Sequence, residues 1–178
     1  MDSDNPLGAD NQQETRSEAL DPGWIVGFTD GEGCFSVSIN RNPLARPTGG
    51  WHIQPTFQVS QHEEFAFVLQ GLRRFFGCGT VRDKGPNSPV AVYSVYSTIQ
   101  LVERIIPFFE EHRLRIKHDD FEKFADIVRS IRSRAHHQTE EFNRIVELAY
   151  SMNARGKQRK RPITDVLPGS SETARKAR

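Results

Sequence analysis

Residues 21–33 read Asp21-Pro22-Gly23-Trp24-Ile25-Val26-Gly27-Phe28-Thr29-Asp30-Gly31-Glu32-Gly33. The stretch starts as a helix does. An Asp at the N-cap accepts from backbone N–H groups of the first turn, and a Pro at the first helical position lacks a donor that would have no partner there anyway. Trp24, Ile25 and Phe28 follow at helical spacing, and Gly31 and Gly33 end the run after two to three turns. Its last turn carries Asp30 and Glu32, where the macrodipole favours cations and a carboxylate costs roughly 0.3–1 kcal/mol. A divalent cation bound by carboxylate and backbone carbonyl, Mg²⁺ for example, would offset that cost. Gly23 and Gly27 sit one turn apart and leave a strip without side chains, along which another backbone can approach closely. The plainer alternative is a glycine turn with two solvated acids.

Downstream of the glycines the period changes from helical to two. Phe35, Val37 and Ile39 share one face with Ser36, Ser38 and Asn40 opposite. After a Pro/Gly-rich turn (42–50), Ile53, Pro55, Phe57 and Val59 alternate with His52, Gln54, Thr56, Gln58 and Ser60. The pattern predicts two strands joined by a long hairpin loop. Helical spacing returns over 63–76 and stops at Gly77-Cys78-Gly79; a second hairpin (80–84 and 90–97) turns at Gly85-Pro86-Asn87. Helices are then predicted over about 98–111, 119–134 and 139–152, giving αββαββα plus C-terminal helices. Phe108, Phe109, Phe121, Phe124 and Phe142 are helix-spaced and read as core. His136-His137 has no partner at ligand spacing and reads as a polar junction.

The polar strand face has an unusual make-up. Ordinary solvated strands carry many Lys and Glu residues, whereas Ser36, Ser38, Asn40, His52, Gln54, Thr56 and Gln58 offer amides, hydroxyls and an imidazole, and the second hairpin adds Arg82 and Lys84. Amides can pair with adenine, Arg and Lys with guanine and phosphate, and a two-stranded ribbon fits the major groove. This face therefore reads as a surface for double-stranded DNA, with an ordinary wet sheet as the alternative.

The whole-chain charge argues the other way until it is divided. The 178 residues sum to +1, unlike the basic excess usual in nucleic-acid binders. Residues 1–19 hold five acids and only Arg16, a net of −4; residues 155–178 hold eight basic and two acidic residues, a net of +6. The segment 33–100 has six basic and three acidic residues, a local +3. Residues 1–19 are accordingly expected to be a disordered acidic leader, 20–154 the folded domain and 155–178 a basic, flexible tail. Two cysteines, Cys34 and Cys78, are too few for a disulfide framework or a four-cysteine metal site. No apolar run approaches the roughly 20 residues of a membrane span and no signal peptide is present, so no membrane partner is expected. The expected setting is intracellular: an organelle (chloroplast or mitochondrion) or a prokaryotic cytoplasm.

Ile25 to Gly33 resembles the signature of the LAGLIDADG homing endonucleases, with Val26 before the first glycine and Glu32 as the second acid. The resemblance extends over about residues 20–150. It includes the αββαββα order, Thr56-Phe57-Gln58-Val59-Ser60-Gln61 ending the second strand, Gly77-Cys78-Gly79-Thr80-Val81-Arg82-Asp83 opening the second hairpin, and Leu114-Arg115-Ile116-Lys117 before a Phe-containing helix. It implies an α+β fold with a curved antiparallel DNA-binding sheet and C-terminal helices. The implied activity is metal-dependent hydrolysis of both strands of a long pseudo-palindromic DNA target, with Mg²⁺ as cofactor and Mn²⁺ able to substitute.

The resemblance also implies roles. Glu32 is the expected metal ligand and catalytic acid of the motif, the Gly31 carbonyl a second ligand, and Asp30 a group that supports the helix end. Gln61 matches a residue that positions water, and Lys117 or Arg115 a cation near the reacting phosphate. Only one motif copy is present, whereas each site of the family takes two, which implies a homodimer joined through Gly23, Trp24 and Gly27. Two alternatives stay open: a maturase acting on intron RNA or a non-cleaving DNA-binding protein on the same scaffold, and an unrelated α+β interaction domain.

Overall fold

Asp21 opens α1 (Pro22–Glu32) as its sequence requires. Its carboxylate accepts from the Trp24 N–H at 2.9 Å, with Pro22 in the first turn. The computed structural model describes residues 20–153 and 161–167; the expected leader and residues 155–160 and 168–178 of the expected tail lie outside the described residues. From α1 the chain passes without a loop into β1 (Gly33–Arg41). The Gly33 N–H donates to the Thr29 carbonyl, and a Cβ at Gly33 would stand 2.6 Å from that oxygen and from the Thr29 methyl. Only glycine makes this turn undisturbed.

β1 pairs with β2 (Trp51–His62), and after a 3₁₀ turn (Glu63–Phe65) comes α2 (Ala66–Phe76), then β3 (Thr80–Asp83) and β4 (Val90–Val95). All pairings are antiparallel in the order β1-β2-β4-β3. The register sets Gly33 opposite Val59, Phe57 opposite Val95 and Val81 opposite Tyr93. Because side chains alternate, Phe35, Val37, Ile39, Ile53, Phe57, Val59, Tyr93 and Val95 fall on one face and are buried. The helices cover that face: α2, α3 (residues 98–111), α4 (His118–Arg132) and α5 (Thr139–Ser151). Phe35 lies at the centre, its ring 5.1–5.5 Å from those of Phe57, Phe109, Phe121 and Phe124. The αββαββα order read from periodicity is the order observed, followed by two further helices.

Two details differ from the sequence reading. Within α3 a π-helical segment (Leu101–Ile105) precedes Pro107, which stands in the first turn of the α-helical stretch Ile106–Glu111. A proline there would break a regular helix, and the wider turn before it accommodates the missing N–H. Residues 161–167, expected within the tail, pack back on the domain. Val166 and Leu167 are 3% and 7% exposed, and the Tyr150 hydroxyl donates to the Arg161 carbonyl at 3.0 Å. Burial of two aliphatic side chains draws this stretch in. Among the described residues no helix is long and apolar enough to cross a membrane.

Candidate functional site

The two acids of α1 occupy different surroundings. Asp30 is 8% exposed, and its carboxylate accepts three backbone N–H groups, from Arg115 at 2.7 Å, Ile116 at 3.1 Å and Lys117 at 3.0 Å. These residues lead into α4, so one buried carboxylate satisfies donors at a helix start, where negative charge is favourable. The brace is reciprocal. The Lys117 ammonium donates to the carbonyls of Thr29 at 3.2 Å and Gly31 at 3.3 Å, and also to that of Asp30. A cation thus sits at the C-terminus of α1 and supplies the charge compensation that the two acids require. Asp30 supports the helix ends, as expected, rather than facing solvent.

Glu32 is exposed at the tip of the same helix, beside the exposed Gly31. Of the two basic candidates, the chain brings Lys117 to this point, while Arg115 gives its backbone N–H to Asp30 and has an exposed side chain. Gln61 lies two residues beyond Val59, the partner of Gly33, and therefore at the same end of the sheet; its carbonyl oxygen accepts from the His62 N–H at 2.8 Å. Cys34 follows Glu32 by two residues. Burial pushes its thiol up, Lys117 opposes that and Asp120 adds to it.

Glu32 and the Gly31 carbonyl are hard oxygen donors, which fits Mg²⁺ in kind. They are too few for its coordination shell, and no group of three His, Cys, Asp or Glu side chains able to hold a metal exists among the described residues. On the exposed side of α1, Gly23, Trp24, Gly27, Gly31 and Glu32 all face outward. A Cβ at Gly27 or Gly31 would meet nothing within 4 Å, whereas one at Gly23 would lie 3.1 Å from the capping oxygen of Asp21. Trp24, 41% exposed, stacks on Phe28 with centroids 4.7 Å apart.

The uncovered face of the sheet collects the polar strand residues. Ser36, Ser38 and Asn40 stand opposite Thr56, Gln54 and His52; Gln58 pairs with Ser94, and Arg82 with Val92 on the outer strand. Lys84 extends the same row, its N–H donating to the Val90 carbonyl at 2.8 Å. Most of these side chains are half-buried or exposed. Thr56 is less open than its neighbours: at 7% exposure, it is a short side chain on an inner strand between Gln54 and Gln58. The sequence reading missed Tyr96. It is 49% exposed, and it takes the Gln58 amide on its hydroxyl at 3.3 Å and the Gln54 amide on its carbonyl at 3.0 Å. Its signal was present, since Tyr96, just past the end of β4, continues the alternation of Val92 and Ser94.

Comparison with known proteins agrees with this geometry. Residues 25–128 match the family model described as LAGLIDADG endonuclease. A Neurospora crassa protein described as "Probable intron-encoded endonuclease 2" is 31% identical over 130 residues, which is 72% of this chain but 26% of the relative, so the chain spans about a quarter of that protein. The crystal structure of a homing endonuclease, I-TnaI, superposes with a TM-score of 0.75 at 34% identity, covering 85% of this chain and 98% of that one. I-SmaMI bound to an uncleaved DNA target in the presence of calcium ions superposes with a TM-score of 0.75 at 30% identity, over 84% of this chain and 49% of that one.

Proposed function

This chain belongs to the LAGLIDADG endonuclease family, and we propose from that premise that it is a site-specific homing endonuclease, acting as a homodimer on a long pseudo-palindromic duplex. The observation that carries the reading is the meeting of three groups at one helix tip: the exposed Glu32, the Gly31 carbonyl and the Lys117 ammonium, with Lys117 held there by the Asp30 brace. Beside them the sheet offers a polar, mildly basic face, of the residue types that read base edges and hold phosphate.

In this reading two α1 helices meet along the Gly23, Gly27 and Gly31 strip, with Trp24 at the contact, and bring two Glu32 carboxylates together. Glu32, with the Gly31 carbonyl, would hold a divalent cation, Mg²⁺ or in its place Mn²⁺. When bound, such an ion supplies charge neutralisation at the phosphate and a more acidic water. Lys117 adds positive charge where negative charge develops, and its fixed position means little reorganisation during reaction. Gln61 orients water near the phosphate through its amide. Ser36, Ser38, Asn40, His52, Gln54 and Gln58 contact base edges, while Arg82 and Lys84 hold phosphate or guanine.

The test is cleavage of a plasmid library carrying randomised inserts. With Mg²⁺ the protein should linearise a small, sequence-related subset; with EDTA it should cut none, and Mn²⁺ should restore cutting. Equal cutting with EDTA, or a DNA-binding protein that linearises no plasmid under any ion, overturns the reading.

A further inference from the structure

Resting on the DNA-binding reading above, we infer that Tyr96 fixes the orientation of Gln54 and Gln58 and turns both into acceptor-only readers of base edges. A primary amide has two N–H donors and one carbonyl acceptor. A free glutamine uses one of each to pair bidentately with adenine N6 and N7. Neither glutamine is free. Gln54 gives one hydrogen to its neighbour's carbonyl, Pro55 O, at 2.9 Å and the other to Tyr96 O at 3.0 Å. Its orientation is unambiguous, because a flipped amide would set oxygen against two carbonyl oxygens that cannot donate. Its own oxygen lies 3.3 Å from His52 Nε2 and keeps a second lone pair. Gln58 directs its hydrogens to Ser94 Oγ at 3.1 Å and to the Tyr96 hydroxyl at 3.3 Å, an arrangement in which both hydroxyls act as acceptors and send their own hydrogens elsewhere.

What remains for a base edge is a carbonyl oxygen at each position. In the major groove such an acceptor pairs with an exocyclic amine, adenine N6 or cytosine N4, and is repelled by the acceptors of guanine and thymine. The two glutamines therefore define degenerate adenine-or-cytosine positions on one strand, and Tyr96 is the specificity-determining residue behind that degeneracy. The two amides also depend on Tyr96 differently. Gln54 is held by its main chain, which no side-chain substitution removes, whereas Gln58 is held by its hydroxyl.

The experiment is a binding selection from a randomised duplex library, read by sequencing, with wild type, Gln54→Ala, Gln58→Ala, Tyr96→Phe and Ser94→Ala. The alanine variants identify the base positions that each glutamine reads. In wild type those positions should hold adenine and cytosine within about threefold of each other, with guanine and thymine disfavoured. Tyr96→Phe frees one Gln58 N–H, so the Gln58 position should shift to adenine over cytosine by about fivefold or more, while the Gln54 position stays unchanged as an internal control. Ser94→Ala frees the other Gln58 hydrogen and should give the same shift, which keeps the test decisive if Tyr96→Phe disturbs folding. Adenine alone at the Gln58 position in wild type, guanine or thymine at either position, or a profile unaltered by both variants overturns the inference. A library with no enriched sequence in wild type overturns the DNA reading itself.

Discussion

Asp30 and Glu32 stand two residues apart, yet burial separates what they do. Asp30 is 8% exposed with three backbone donors, while Glu32 is exposed at the helix tip. Asp30→Ala should leave those N–H groups without an acceptor and cost about 3 kcal/mol in a urea unfolding experiment, whereas Glu32→Ala should change stability by no more than about 0.5 kcal/mol. A second carboxylate predicts a pH effect. Hydrogen bonds from Arg144 and Ser130 hold Glu141 down to about 2, against an ordinary value of 4.5. A depressed carboxylate contributes stability that is present above its unfolded value and lost as pH falls through the folded one. The loss from this group should therefore fall between about pH 4.5 and about pH 2, and Glu141→Gln should flatten that part of the stability curve. The contribution is modest because Arg144 is 43% exposed and solvent screens the pair.

At the scale of elements, α1 is a core helix and, in the proposed homodimer, also the interface. Ile25 and Thr29 are fully buried on one side, while Gly23, Gly27 and Gly31 lie open on the other. Gly27→Val tests the second role without harming the first. Its Cβ finds open space in the single chain, and valine suits a helix better than glycine does. The variant should fold with unchanged or higher thermal stability, sediment as a monomer where wild type is a dimer, and lose DNA cleavage. The helix and both hairpins were legible in the sequence because local rules make them: the Asp21 cap, the glycine stop, and the alternation from Phe35 to Ile39 and from Ile53 to Val59. What was hidden depends on contacts between distant parts of the chain. Asp30 meets residues 115–117, 85 to 87 positions away. The low exposure of Thr56 follows from its inner strand, the placing of the Lys117 ammonium at the end of α1 from where α4 begins, and the packing of 161–167 from a site that the rest of the fold creates.

Across the whole molecule, the net charge of +1 conceals a division of labour. Residues 1–19 sum to −4, residues 33–100 to +3 and residues 155–178 to +6, so affinity should draw on base contacts as well as on counterion release. Each phosphate contact contributes about −0.9 to the slope of log affinity against log salt. Lys84→Ala, present twice in a dimer, should thus reduce the magnitude of that slope by roughly two and weaken binding evenly across sequences, whereas Gln58→Ala should leave the slope and relax the sequence preference. An even loss from the Gln58 variant, or an unchanged slope from the Lys84 variant, would reverse their assignments. The central claim, that two exposed Glu32 side chains cut DNA which the sheet holds, is tested most directly by measuring cleavage and binding of one selected duplex by wild type and Glu32→Gln. With Mg²⁺, wild type should linearise a plasmid carrying the duplex. Glu32→Gln should bind it within about threefold of wild-type affinity and leave the plasmid intact. Cutting by Glu32→Gln at the wild-type rate would contradict the account.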